Sequence, residues 1–312
     1  MSQSDRRQTF GFVGVTATRS SINRVFPRWA DVLGLGEVVF DPIDLDVDVD
    51  SAAYREVVGR MAQDPGYRGA LVTTHKVRLL EACRDLFDEL DPYAELLGEV
   101  SCIASSDGRL RGSAKDPITS GQSLADFVPA GHFERTGGHV LCLGAGGAGL
   151  AITVHLLTGA PACGRPDRVV LVNRGEARLE ECRRVLTQLD VLDRVDLVAN
   201  SDVEVDDDLC AELPDGSLVV NATGMGKDRP GSPISDAAVF PRDGLVWELN
   251  YRGDLDFLHQ ARAQQQGRNL TVEDGWRYFV YGWSAVVADV FGLDLDAATL
   301  ARLSDEAAVV RS

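Results

Sequence analysis

The residues with the most specific chemistry are Gly144-Ala145-Gly146-Gly147-Ala148-Gly149, which fit the pattern G-x-G-x-x-G. The pattern alone is weak, but here it follows the apolar run His139–Leu143 and opens the helical stretch Leu150–Leu157. In that setting each glycine has a task. Gly144 permits the tight turn, Gly146 lets the backbone approach a diphosphate, and Gly149 allows close helix–strand packing. The diphosphate then rests on the positive end of the helix. A glycine-rich turn without a ligand is the competing reading, and the strand before it and helix after it argue against that reading.

The next strand ends at Asn173-Arg174-Gly175. A site selecting a free ribose 2′-hydroxyl would place Asp or Glu there. Arg174 stands there instead, with Arg178 one helical turn further on. Two guanidinium groups suit a 2′-phosphate, so the expected cofactor is NADP; two exposed surface arginines are the plainer alternative.

These loops need a sheet to hold them. Arg168–Val172, Val195–Val198, Ser217–Asn221 and Leu245–Leu249 read as further strands, alternating with helical stretches at Glu176–Leu189 and Leu255–Gln265. Continuous apolar runs such as HVLCL suit a parallel sheet covered on both faces. The first part of the chain alternates in the same way. Thr9–Val15, Glu37–Phe40, Gly69–Thr73, Val100–Ser105 and Arg109–Gly112 read as strands. Ile22–Leu33, Ser51–Asp64 and Val77–Leu90 read as helices, and DPIDLDVDVDS as a solvated acidic turn. Residues 117–133 form a connecting helix and linker, Asp274–Phe291 a long apolar helix, and Ala297–Ala308 a last one. The first eight residues read as a loose polar lead-in.

A length of 312 residues favours two domains. The formal net charge of -17 argues against a nucleic-acid or anionic-membrane surface, which needs a basic patch. It also requires any anionic cofactor to be met by locally placed cations or N–H groups. No apolar run reaches membrane-span length and MSQSDRRQTF lacks the apolar stretch of a signal peptide, so the expected compartment is the cytoplasm. The six cysteines show no CxxC spacing and no Cys/His cluster, so no metal is expected. The expected partner is a small molecule; a homodimer is compatible with the sequence.

Eight motifs run along the chain in a fixed order. They are Val72-Thr73-Thr74-His75-Lys76, Gly98-Glu99-Val100-Ser101-Cys102, Gly112-Ser113-Ala114-Lys115-Asp116, Gly144–Ala148, Asn173-Arg174-Gly175, Asn221-Ala222-Thr223-Gly224-Met225-Gly226, Glu248-Leu249-Asn250-Tyr251 and a helix led by Gly275. Their order and spacing resemble the shikimate dehydrogenase family. The resemblance implies an α/β fold with an N-terminal substrate domain (1–125) and a Rossmann NADP-binding domain (126–272). C-terminal helices (273–312) would return to the first domain, with the active site in the cleft. It implies an oxidoreductase that interconverts a secondary alcohol and a ketone on a shikimate-like cyclic hydroxy acid. Lys76 and Asp116 would be catalytic, and Ser20, Thr73, Ser101 and Tyr251 would hold substrate. Gly144, Gly146, Gly147, Ala148, Asn173, Arg174, Arg178, Thr223 and Met225 would hold NADP.

The implied roles make chemical sense. Alcohol oxidation sends a hydride to the nicotinamide and releases a hydroxyl proton. A partly desolvated lysine can take that proton, and a neighbouring aspartate can orient it. The plain alternatives are a surface lysine at a helix start and an aspartate capping the turn before Pro117.

Departures from the family pattern gather where substrate would bind. Arg19 replaces a His and only Ser20 matches a Ser-x-Ser. Ser101-Cys102 replaces Asn-Thr, Ala114 and Lys115 replace Asn and Thr, and Gly282 replaces Gln. Thr74 stands where Pro precedes the Lys motif, with a one-residue gap nearby. A site that reads hydroxyls tolerates such losses badly, so substrate preference is expected to have moved while the redox machinery stays. Glu99 and Lys115 are the new charges that would select an amino- or otherwise modified substrate. A quinate- or aminoshikimate-type dehydrogenase and a non-catalytic NADP or metabolite sensor are the alternatives. For the aromatic cluster Trp276, Tyr278, Tyr281 and Trp283, packing is the expected role of at least two members.

Overall fold

A computed structural model describes residues 7–227 and 229–311. Most of the expected lead-in, residues 1–6, lies outside the described residues. The chain forms two compact units, residues 1–115 with 282–312, and residues 116–281.

The first unit contains β1 (Gln8–Gly14), α1 (Ile22–Leu33), β2 (Val38–Asp44), α2 (Ser51–Gln63), β3 (Tyr67–Val72), α3 (Lys76–Cys83), β4 (Glu89–Leu90), α4 (Pro92–Leu97), β5 (Cys102–Ser106) and β6 (Arg109–Ser113). Its sheet runs β2-β1-β3-β5-β6-β4. β1 pairs in parallel with β2 and β3, whereas β5 is antiparallel to both β3 and β6. α1 buries Ile22, Val25, Phe26, Trp29 and Ala30, an i, i+3, i+4, i+7 stripe, and stops at left-handed Gly34. Asp50 and Asp91 cap α2 and α4 by accepting from Ala53 N and Ala94 N.

Two expectations are corrected here. The helix read over Val77–Leu90 ends at Cys83, and Glu89–Leu90 joins the sheet beside Arg111–Gly112. Asp88 causes the change: its N–H bonds Leu110 O at 2.9 Å and its carboxylate takes Leu110 N at 2.9 Å, drawing the chain into strand pairing. The acidic turn is likewise half strand, since Asp41–Asp44 continues β2 alongside Gly11–Gly14. Partners make that tolerable. Asp41 accepts from Tyr67 Oη at 2.6 Å and Arg60 at 3.0 Å, and Asp44 accepts from Thr18 N at 2.9 Å and Thr18 Oγ1 at 2.5 Å.

The second unit contains α5 (Asp116–Phe127), α6 (His132–Thr136), β7 (Val140–Leu143), α7 (Gly147–Thr158), β8 (Val169–Asn173), α8 (Glu176–Gln188), β9 (Val195–Ala199), α9 (Val203–Ala211), β10 (Leu218–Asn221), β11 (Leu245–Glu248), α10 (Asp256–Arg268) and β12 (Thr271–Glu273). Its sheet is wholly parallel in the order β12-β11-β10-β7-β8-β9. That is the doubly wound order of dinucleotide-binding sheets, with its switch point between β7 and β10. Leu141, Leu143, Val219, Val246, Phe240 and Phe257 are among the buried core. α9 and β12 are additions to the sequence reading.

The helix α11 (Trp276–Phe291) spans the division between the units, and α12 (Ala297–Arg311) belongs to the first. Trp29 Nε1 donates to Leu303 O at 2.8 Å and Arg28 pairs with Glu306 at 2.8 Å, so the C-terminal helix returns onto α1. Among the described residues no helix is long and apolar enough to cross a membrane.

Gly69 in β3 has φ +146, and a Cβ there would stand 2.0 Å from the Ile103 carbonyl oxygen of the paired strand. Gly69→Ala should therefore lower stability by at least about 2 kcal/mol. The check is a urea unfolding curve whose midpoint falls at unchanged slope.

Candidate active site

In the second unit the glycine loop has the geometry its sequence requires. Gly144 has φ +106, where an L side chain is strained, and a Cβ would meet the Ala222 backbone at 2.6 Å. A Cβ on Gly149 would lie 2.0 Å from Gly144 O, while one on Gly146 would meet nothing within 4 Å. Gly146 thus caps α7 on an open face, followed by Gly147 and Ala148 in a first turn that carries no acidic residue. The N–H groups there can receive an anion.

Arg178 reaches this loop. Its Nε donates to Ala145 O at 2.7 Å and its Nη1 pairs with Glu181 at 2.7 Å. Arg174 is exposed at the end of β8, and Asn173 Nδ2 closes the turn onto Gly175 O at 3.1 Å. These residues fit a phosphorylated dinucleotide: backbone donors for the diphosphate, a guanidinium held against the loop that leaves β7, and a second one exposed at the end of β8.

The turn after β10 forms a ring of hydrogen bonds. Asn221 Oδ1 accepts from Thr223 N at 3.1 Å and Thr223 Oγ1 at 2.7 Å, and Thr223 Oγ1 accepts from Met225 N at 3.1 Å. Asn250 Nδ2 donates to Met225 O at 2.9 Å. Glu248 closes the ring, taking Asn221 Nδ2, Asn250 N and Asn250 Nδ2, each at 2.7 Å. Its carboxyl is wholly buried; desolvation pushes its pKa up to about 7, against the downward pull of those donors. The sequence reading placed Thr223 and Met225 here but gave Glu248 and Asn250 no role. The available signal was an acidic residue inside the otherwise apolar run LVWEL. Tyr251 follows, its ring 4.6 Å from Phe279 and 5.6 Å from Trp276.

In the first unit, one end of the sheet gathers the remaining residues. Thr73 N and Oγ1 donate to Val13 O at 3.0 and 3.3 Å, joining the ends of β3 and β1. Ser20, half-buried, lies in the loop after β1, where its carbonyl accepts from Asn23 Nδ2 at 2.9 Å. Lys76, also half-buried, opens α3; its N–H reaches Thr73 O and its carbonyl takes Val100 N, both at 3.3 Å. That second bond sets the buried Glu99 and Ser101 to either side of Lys76's backbone partner. Asp116 is buried as the first residue of α5, directly after the end of this unit.

Three residues near this end have structural work. His75 is buried, with Nε2 3.0 Å from Leu45 O and Nδ1 2.8 Å from Tyr54 Oη. A carbonyl only accepts, so Nε2 carries the proton and Nδ1 accepts from the tyrosine. Burial lowers its pKa further, and the neutral ring acts as a strut. Ser101 Oγ accepts from Lys115 N at 2.8 Å and lies 3.4 Å from Ser113 O, so its hydroxyl is engaged by backbone at the end of β6. Lys115, expected to select substrate by its charge, places its ammonium 2.5 Å from Asp289, whose carboxylate also receives Arg111 and, at 3.0 Å, Ser113 Oγ. Opposite charge within the same unit holds this cation. The aromatic cluster packs throughout. Trp276 stacks on Phe279, Tyr278 meets Trp247, Trp283 meets Phe12, and Tyr281 donates to Asp126 at 2.7 Å.

No protein-family model matches the chain. Curated relatives do. The shikimate dehydrogenase (NADP(+)) of Methylobacterium radiotolerans is 33% identical over 232 residues, covering 73% of each chain. That of Pseudarthrobacter chlorophenolicus is 30% identical over 304 residues, covering 95% of this chain and 94% of its own. Two solved structures share the fold. One is shikimate 5-dehydrogenase of Thermus thermophilus in complex with NADP(H) and shikimate, with TM-score 0.70, 23% identity and coverage of 97% and 99%. The other is quinate dehydrogenase of Corynebacterium glutamicum in complex with NAD, with TM-score 0.71, 20% identity and coverage of 97% and 99%.

The Asp289 cluster is testable by stability. Burial raises its pKa, but hydrogen bonds from Lys115 and Arg111 outweigh that and hold it below the ordinary 3.8. A depressed carboxylate contributes stability above its unfolded pKa and loses it as pH falls through the folded one. Asp289→Asn should cost about 2 kcal/mol at neutral pH. The gap from wild type should close in acid below about pH 4, as urea titrations across pH would read.

Proposed function

The chain belongs to the shikimate dehydrogenase family, and from this premise we infer that it is an NADP-dependent oxidoreductase acting on a CH–OH group. It interconverts the alcohol and ketone of a shikimate-like cyclic hydroxy acid. The observation that carries the cofactor reading is Arg178 bonded to Ala145 in the glycine loop, with Arg174 and no acid at the end of β8. The first unit is assigned to substrate and the second to the dinucleotide.

Bound NADP supplies the hydride acceptor or donor. The chain's own residues bind it, position the substrate and handle the proton. The N–H groups at Gly146, Gly147 and Ala148 receive the diphosphate, and Arg174 and Arg178 the 2′-phosphate, beside the Asn173 turn. Lys76 takes the hydroxyl proton during oxidation and returns it during reduction. Asp116 orients the ammonium and accepts a hydrogen bond from the hydroxyl. Ser20 and Thr73, at the carboxyl ends of parallel strands, and Tyr251 hold the carboxylate.

A moved substrate preference has a specific observation behind it. Ser101 spends its hydroxyl on backbone, and Ala114 and Gly282 offer no side-chain polar atom. Quinate and aminoshikimate therefore belong beside shikimate in the assay, which follows absorbance of the reduced cofactor. Shikimate turnover at ordinary enzyme efficiency rejects the moved preference. NADP binding without turnover of any of the three favours a sensor.

Lys76→Ala should lower kcat by about a thousandfold, within the usual range for general acid–base groups, and leave NADP+ affinity unchanged. Steady-state kinetics paired with calorimetric titration separates the two effects. Arg178→Ala should weaken NADP+ binding by about tenfold or more while sparing NAD+, since only the former carries the phosphate. Equal losses for both cofactors would remove Arg178 from phosphate recognition.

A further inference from the structure

The buried ring after β10 has more polar groups than a strand end needs. β11 is otherwise apolar and buried, and Glu248 is its last residue. Burying a carboxylate is costly unless every lone pair finds a donor, and an apolar residue of similar volume makes a cheaper strand end. Glu248 has three donors at 2.7 Å, all from Asn221 and Asn250. Both asparagines also reach Met225 O, from 2.9 Å for Asn250 and 3.4 Å for Asn221. The turn they grip needs two left-handed glycines, Gly224 at φ +75 and Gly226 at φ +86. The carboxylate therefore fixes the shape of a turn that would otherwise be free to vary.

The position of that turn gives the shape a purpose. In a doubly wound sheet the two halves flanking the switch point each take one nucleotide. The half formed by β7, β8 and β9 carries Arg174 and Arg178, so it takes the phosphorylated adenosine. The half formed by β10, β11 and β12 takes the nicotinamide nucleotide. The Asn221–Gly226 turn stands at the carboxyl end of β10, its Ala222 backbone against Gly144.

Resting on the NADP reading, we propose that Glu248 is a positioning residue for the nicotinamide half of the cofactor. It acts through Asn221 and Asn250, which hold the Thr223–Gly226 turn. It touches neither substrate nor reacting atoms. A ring so placed governs the angle at which the nicotinamide meets substrate, so its loss is felt in hydride transfer and nicotinamide binding. Recognition of the adenosine end is left intact.

The test uses the full chain and two ligands. NADP+ spans both halves, whereas adenosine 2′,5′-bisphosphate reports the adenosine half alone. In Glu248→Gln an amide N–H₂ faces Asn221 Nδ2, donor against donor, and the ring opens. The expected result is unchanged affinity for the bisphosphate, NADP+ affinity weaker by about tenfold or more, and kcat at saturating NADP+ lower by a similar factor. Glu248→Asp keeps the charge and should recover part of both losses. Asn250→Ala, which removes the Nδ2 bonds to Met225 O and to Glu248 Oε1 but keeps the carboxylate and its bonds from Asn221 Nδ2 and Asn250 N, should repeat the pattern if Glu248→Gln does not fold. Equal weakening of both ligands, or no change in either, overturns the proposal while leaving the NADP reading standing. Wild-type protein that binds neither ligand brings down both.

Discussion

The second unit is organised by a contact between two stretches of backbone that leaves no room for a side chain. Gly144 lies against Ala222, and Gly149 lies against Gly144 itself. Ala222 N adds a 2.7 Å hydrogen bond to Leu143 O. The turn after β7 and the turn after β10 therefore share one wall, on either side of the switch point. Once that wall is fixed, the start of α7, the Arg178 contact with Ala145 and the Glu248 ring all follow in register. A methyl group at either glycine would separate them.

Charge is handled locally in a chain whose total is strongly negative. Several cations are tied to named oxygens. Lys115 and Arg111 converge on Asp289, Arg178 is held by Ala145 O and Glu181, and Arg78 donates to the carbonyls of Val47 and Val49. The last contact, with the His75–Leu45 bond, clamps the acidic stretch after β2 against the start of α3. Lys76 thereby begins a helix whose preceding loop is fixed from two directions.

Much of this was legible in the residues. The two α/β alternations, the glycine loop and the long apolar helix follow from periodicity and punctuation, and α1 has the boundaries its stripe predicts. What was not legible depended on partners distant in sequence. Nothing local in Asp41–Asp44 signals a strand; Tyr67, Arg60 and Thr18 make it one. Nothing local ends a helix at Cys83; Leu110 does. The Asp289 partner of Lys115 was not legible because it lies far along the chain. Glu248 was visible as a motif residue ending an apolar run but had no role, since its meaning requires two asparagines brought together from different loops.

The division of the chain has a bearing on how the protein is made. Unit two begins at Asp116 and finishes at Tyr281, so it is an insertion within unit one, whose own sequence is completed only by α11's later half and α12. Trp29 must wait for Leu303, and Arg28 for Glu306. During synthesis the dinucleotide fold has all its strands before the earlier-made β1 and α1 acquire their final cover. Helix α1 is thus made early and completed late, with Trp29 Nε1 lacking its Leu303 acceptor throughout that interval.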